Sequence, residues 1–147
     1  MHLLAASVFV VVLRADSVLL LRRSNTGLHD GQFSLPGGKH DGGESLARAA
    51  ARELFEETGL IVAESTLRFG HLLHCQDSDG TEWMGAFFVA DSWSGDPQLM
   101  APHKHDSLEW HSIDSLPLNL ALPIRQVLNA INDNLGFSCF GWTKPSS

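Results

Sequence analysis

The sequence predicts an α/β (α+β) fold in which a mixed β-sheet is sandwiched between helices, an α/β/α arrangement. Three observations carry this expectation. The first strands are near-continuous apolar runs, which need cover on both faces of their sheet. A helical pattern at 45–58 interrupts the strands. A second helical pattern follows the last of them, so a layer is available for each side. At 147 residues the chain is expected to form one domain, 1–147, large enough to bury about 68–70% of its unfolded surface.

The elements follow in chain order. Ser7–Leu13 and Val18–Leu21 flank Arg14-Ala-Asp-Ser17 and predict a hairpin with a four-residue loop. Ser24–Gly31 is a polar loop, Gln32–Leu35 a short extended piece, and Pro36-Gly-Gly38 its terminator. Ser45–Thr58 is rich in Ala, Leu, Glu and Arg and stops at Gly59, which predicts a helix with a glycine C-cap. Leu67–Cys75 and Thr81–Ala90 bracket Asp77-Ser-Asp-Gly80 and predict a second hairpin. Gly95 opens a loop to about Asp106, Leu108–Ile113 is a strand, and Leu116-Pro-Leu-Asn119 connects it to a helix at about 122–134. Thr143–Ser147 is a short polar tail.

Seventeen acids against ten bases leave a net charge of −7. A nucleic-acid or anionic-membrane binder would carry clustered Lys and Arg instead, so neither partner is expected. Cys75 and Cys139 are too few for a disulfide framework and lack the spacing of a zinc site, which fits a reducing, cytoplasmic setting. The apolar start, Leu3–Leu13, is too short to span a bilayer and reads as a buried strand.

One stretch stands apart: Gly38-Lys-His-Asp-Gly-Gly-Glu44, then Arg52-Glu-Leu-Phe-Glu-Glu-Thr-Gly-Leu60. Helical residues advance by roughly 100°. With Glu53 at zero, Glu57 falls near roughly +40° and Glu56 near roughly −60°, so three carboxylates share one face. Ala47, Ala50, Ala51 and Leu54 form an apolar stripe beside them. Like charges at these spacings cost a helix a few tenths of a kcal/mol per pair, and Arg52 relieves only part of it. A bound divalent cation is the simplest compensation, and hard oxygen ligands suit Mg²⁺ or Mn²⁺. Gly37, Gly38, Gly42 and Gly43 permit close approach of backbone to a ligand. Glu44 either caps the helix or turns inward with the other acids.

Gly38, Glu44, Arg52-Glu53-Leu54, Glu56-Glu57 and Gly59-Leu60, at these intervals, resemble the Nudix box (38–60), and Leu35-Pro-Gly-Gly38 is similar to the segment that precedes it. The resemblance implies the Nudix fold and a metal-dependent hydrolase that splits a diphosphate linked to another group. It implies Glu53, Glu56 and Glu57 as metal ligands, helped by the Gly37 carbonyl, with Arg52 orienting the carboxylates. Related chains often carry Glu-Pro-x-Lys in the loop before the last strand, where this chain has Ala101-Pro-His-Lys104. Asp96 and Asp106 are out of register, so Glu53 is favoured as general base.

Absence of a proline near Cys75 and Gln76, and of any tyrosine, turns the resemblance toward the MutT-like branch, which cleaves nucleoside triphosphates. Other X-linked nucleoside diphosphates, such as ADP-ribose or a sugar nucleotide, stay open, as does a non-catalytic nucleotide-binding module. The resemblance gives Asn119 a base contact. Arg22 and Arg23 can pair with phosphate oxygens, and Gly38 and Lys39 complete the expected substrate contacts. His71 and His74 alternate on a strand and cannot readily share an ion; His103 and His105 can. The histidines are otherwise expected to face solvent or substrate, the four tryptophans to pack, and both cysteines to be buried or inert. Phe140 and Trp142 are candidate residues for a homodimer interface.

Overall fold

The structure is a computed structural model in which residues 1–142 are described; the polar tail at 143–147 lies outside them. In chain order it runs β1 (Ala5–Arg14), β2 (Ser17–Arg23), β3 (Phe33–Ser34), β4 (Gly37–Lys39), α1 (Leu46–Thr58), β5 (Arg68–Gln76), β6 (Glu82–Ala90), β7 (His105–Ser112), α2 (Leu122–Asn132) and β8 (Phe137–Phe140). Strand β1 is the axis of the mixed sheet. It lies parallel to β6 over Ala5–Val12, antiparallel to β4 at Ser7–Phe9, and antiparallel to β2 at Leu13–Arg14. Strand β5 pairs antiparallel with β6 and parallel with β8, while β2 pairs with β7 and β3.

Side chains of β1 alternate between two cores, as the period of two demands. Val8, Val10 and Val12 meet Ala49, Ala50 and Leu54 of α1. Val11, with Phe9 and Leu13 at its margin, joins Ile124, Val127 and Leu128 of α2. The α/β/α expectation is met, and β1 is continuously apolar from Val8 to Leu13 because that stretch is covered twice.

Helix α1 forms as expected. Ser45 Oγ accepts from Arg48 N at its start, and Gly59 takes φ 76° at its end, its N–H donating to Phe55 O. The buried face is shifted from the predicted stripe: Ala49 is fully buried and Ala51 only partly.

Four expectations need correction. The first hairpin has a two-residue turn, since Arg14 pairs with Ser17, and Ala15 takes φ 52°. The glycines at 37–38 do not end a strand but form β4; a Cβ on Gly37 would lie 2.2 Å from Val8 O, so only glycine lets this segment reach β1. Strand β7 starts at His105 because it pairs along β2 as far as Arg23. Strand β8 has no counterpart among the expected elements, and α2 ends at Asn132 before it. The buried His71 ring ties β8 in place: Nδ1 meets Leu135 O and Nε2 meets Ser138 Oγ, each at 2.7 Å.

Candidate active site

A cleft of about 540 Å³ opens where β4, α1, the end of β2 and the start of β7 converge. Gly37, Gly38, Lys39, Glu53, Glu57, Arg23, Lys104 and His105 line it. Its position follows from the sheet: β4 is drawn onto β1, α1 packs across the same strand, and the acids of α1 therefore look toward the glycine strand.

The three box carboxylates are not equivalent. The Glu57 side chain is 8% exposed and Glu53 14%, whereas Glu56 is 53% exposed at the rim. Glu57 Oε1 accepts from Gly37 N–H at 2.7 Å. The Glu53 carboxylate packs so closely on Gly38 that a Cβ there would sit 2.7 Å from it. Arg52 does more than its spacing implied: it donates to Glu44 at 2.6 Å and to Glu53 and Glu56 at 3.2 and 3.3 Å. Glu44 is thus held by Arg52 and is not the helix cap, a role Ser45 fills.

Burial sets the electrostatics. Desolvation raises the Glu57 carboxyl to about 8, with the Gly37 N–H bond opposing it. Desolvation also raises Glu53, with the Arg52 charge opposing. The Arg52 hydrogen bond holds Glu44 below its ordinary range. His105 is lowered to about 4 by burial, then by the positive charges of Arg23 and Lys104. At neutral pH, Glu57 and His105, 3.8 Å apart, are therefore neighbours without net charge rather than an ion pair.

Among the described residues no three His, Cys, Asp or Glu side chains stand ready around one point. Both oxygens of Glu44 and Glu56 and one of Glu53 are engaged by Arg52, and one of Glu57 by Gly37. The donor set nevertheless fits a hard divalent cation. It is all oxygen, and two of its carboxylates are desolvated enough to be held above their ordinary range, a penalty that a cation would remove.

Of the expected substrate contacts, Arg23, Gly38 and Lys39 line the cleft. Arg22 points away: its Nε donates to Asp106 at 2.7 Å and its guanidinium lies over Phe33. Adjacent residues of a strand face opposite sides, which separates the two arginines. Asn119 is exposed and stands apart from the cleft lining, its Nδ2 donating to Gly31 O. Ala101 is buried, and its carbonyl accepts from the N–H groups of Lys104 and His105, so this turn delivers those two side chains to the cleft. Lys104 is not singled out as a site residue by the sequence, and His105 only as able to share an ion with His103; the signal available is the Ala101-Pro-His-Lys104 run itself. His103 is exposed, apart from the buried His105, and His71 is buried in the fold rather than facing solvent or substrate. Cys139 is exposed rather than buried, while burial raises the Cys75 thiol to about 11. The Trp142 indole donates to His74 O and Phe140 is partly buried, so both are partly engaged within the chain.

Comparison with known proteins places the geometry in a family. The chain is 34% identical over 103 residues to Uncharacterized Nudix hydrolase YvcI of Bacillus subtilis, covering 69% of this chain and 61% of that protein. It is 32% identical over 111 residues to an Oxidized purine nucleoside triphosphate hydrolase of Danio rerio, covering 75% and 67%. It is 30% identical over 113 residues to an ADP-ribose pyrophosphatase of Methanocaldococcus jannaschii, covering 77% and 64%. The crystal structure of MutT NUDIX hydrolase from Burkholderia pseudomallei superposes with a TM-score of 0.80 at 28% identity, covering 87% of this chain and 98% of that one. Residues 3–131 match the NUDIX domain family model, and the chain belongs to the Nudix hydrolase family.

Proposed function

We propose that this protein is a nucleoside triphosphate pyrophosphohydrolase that uses Mg²⁺, with Mn²⁺ as a substitute, and releases a nucleoside monophosphate and pyrophosphate in the cytoplasm. The observation that carries the reading is the charge layout of the cleft: the buried Glu57 and part-buried Glu53 share it with Arg23, Lys39 and Lys104. Cationic side chains next to carboxylates suit a polyphosphate that arrives with its counter-cation, and the relative named for oxidised purine triphosphates supports the same substrate class.

Glu53, Glu56 and Glu57 would hold the cation, with the Gly37 carbonyl beside them. When bound, it supplies charge neutralisation at the phosphates and a lowered pKa for attacking water. The chain's own residues do the rest. Arg23, Lys39 and Lys104 draw the phosphate chain against the glycine strand, where Gly38 lets it approach closely. Arg52 holds Glu44, Glu53 and Glu56 in one array, so the acids keep their spacing as substrate enters. Glu53 is the general base, and desolvation raises its proton affinity in the useful direction. Water oxygen bonds to phosphorus, its proton passes to Glu53, and the phosphorus–oxygen bond to the pyrophosphate group breaks.

Product analysis by mass spectrometry with Mg²⁺ tests this on nucleoside triphosphates, oxidised and methylated purine triphosphates, ADP-ribose, a sugar nucleotide and a dinucleoside polyphosphate. Monophosphate plus pyrophosphate from a triphosphate is the expected result. Cleavage of ADP-ribose or a sugar nucleotide alone would replace the substrate while keeping the enzyme class. Binding of a nucleotide without any cleavage would leave a non-catalytic module.

A further inference from the structure

We propose that His105 is a positioning residue for the Glu57 carboxylate, holding it from the side opposite Gly37. The inference rests on the reading of Glu57 as a cation ligand given above. Three features of the fold lead to it. The imidazole is among the few buried polar side chains, 7% exposed, and it lines the cleft without serving any step assigned so far. Its backbone is fixed twice, by the N–H bond to Ala101 O and by pairing of His105 with Arg23 across β7 and β2. Its Nε2 faces Glu57 Oε2 at 3.8 Å, while Oε1 of the same carboxylate accepts from Gly37 N–H.

The carboxylate is thus held at one oxygen by the glycine strand and approached at the other by a buried ring on a fixed backbone. The separation is roughly 0.6 Å beyond the long end of a hydrogen bond, so the contact proposed is one that forms when the Glu57 carboxylate turns toward the ring on a bound cation. Nδ1 is buried with no partner among the described residues. An orphaned buried N–H is rarer than an orphaned acceptor, so the ring carries its hydrogen on Nε2, directed at Glu57. This is the arrangement by which outer groups orient the ligands of a cation. It also gives the turn at 101–104 a purpose: although the segment lacks a glutamate at Ala101, it delivers an imidazole to the acid of α1.

The test is Mn²⁺ binding, followed by the electron paramagnetic resonance of free Mn²⁺, in the wild type, His105→Phe and His105→Asn. The phenyl ring preserves packing and removes the donor. His105→Phe is expected to weaken Mn²⁺ binding about 10- to 100-fold, lowering kcat with little change in the KM for nucleotide. His105→Asn, with a shorter donor, is expected to recover part of the loss. Wild-type Mn²⁺ affinity in folded His105→Phe would overturn the positioning role while leaving the ligand reading intact. Absence of Mn²⁺ binding in the wild type would overturn both. If His105→Phe fails to fold, ¹⁵N spectra of the wild-type imidazole decide: a proton on Nε2 supports the proposal and a proton on Nδ1 overturns it.

Discussion

Helices α1 and α2 cover opposite faces of one sheet with similar lengths, yet they spend their buried positions differently. Helix α2 buries Ile124, Val127, Leu128 and Ala130, all apolar. Helix α1 buries Ala49, Ala50 and Leu54 together with Glu57 and Thr58, and keeps Glu53 largely out of water as well. Thr58 satisfies itself by donating to Leu54 O, but Glu57 has one backbone N–H bond, from Gly37, and the charges of Lys104 and Arg23 to offset its desolvation. The two faces therefore divide the work. The α2 side supplies large apolar side chains to the core, whereas the α1 side uses small alanines to bring the helix close enough for its acids to reach the glycine strand.

That division yields measurable contrasts. The largest belongs to the acids: Glu57→Gln and Glu53→Gln should each cut turnover by about 10²- to 10⁴-fold, with circular dichroism and the thermal midpoint showing an intact fold. Unchanged turnover in Glu57→Gln would remove it from the site. On the other face, Leu128→Ala should cost about 2–5 kcal/mol in urea unfolding, while kcat measured well below the melting range stays near wild type. A large loss of kcat there would show that the two faces are coupled.

The adjacent arginines give a smaller contrast on a single strand. Arg23→Ala should raise KM by about 10-fold, the effect of a lost charge-assisted hydrogen bond, whereas Arg22→Ala should leave it nearly unchanged. Equal effects in steady-state kinetics would contradict the separation of their side chains. A last contrast is in the pH dependence of stability without divalent cations. The Glu57 carboxyl is raised from 4.5 to about 8 in the folded state. The unfolded chain therefore loses this proton first. Its contribution to stability is full below pH 4.5 and falls away as pH rises toward 8. Glu57→Gln should flatten that decline in denaturant titrations across pH, and an unaltered slope would assign it to another group.

Much of the site is legible in the sequence because its chemistry is local. The spacing of Glu53, Glu56 and Glu57 on α1, the glycines at 37–38 and the stop at Gly59 all lie within one short segment whose geometry follows from helix period and backbone freedom. The substrate side is less legible. Arg22 and Arg23 are indistinguishable as neighbours in sequence, and only the pairing of β2 with β3 and β7 sends one to Asp106 and the other to the cleft. Asn119 could be placed near the site only by likeness, and its amide is bonded to Gly31 O instead.

Elements whose signals are periodic or capped could be read from the residues alone: the twice-covered strands, the box helix with its massed acids, both hairpins and the existence of α2. So could the family, because the box carries its chemistry in its spacing. Tertiary structure decided what depends on contacts between distant segments. It made β4 from a glycine run by drawing it onto Val8 and Phe9, added β8 through the His71 bonds to Leu135 and Ser138, and brought Lys104 and His105 to the acids of α1. It also ranked three similar glutamates into one buried, one part-buried and one exposed. The physical reason is that desolvation and long-range pairing depend on what lies across the cleft, and no local window of the chain contains that information.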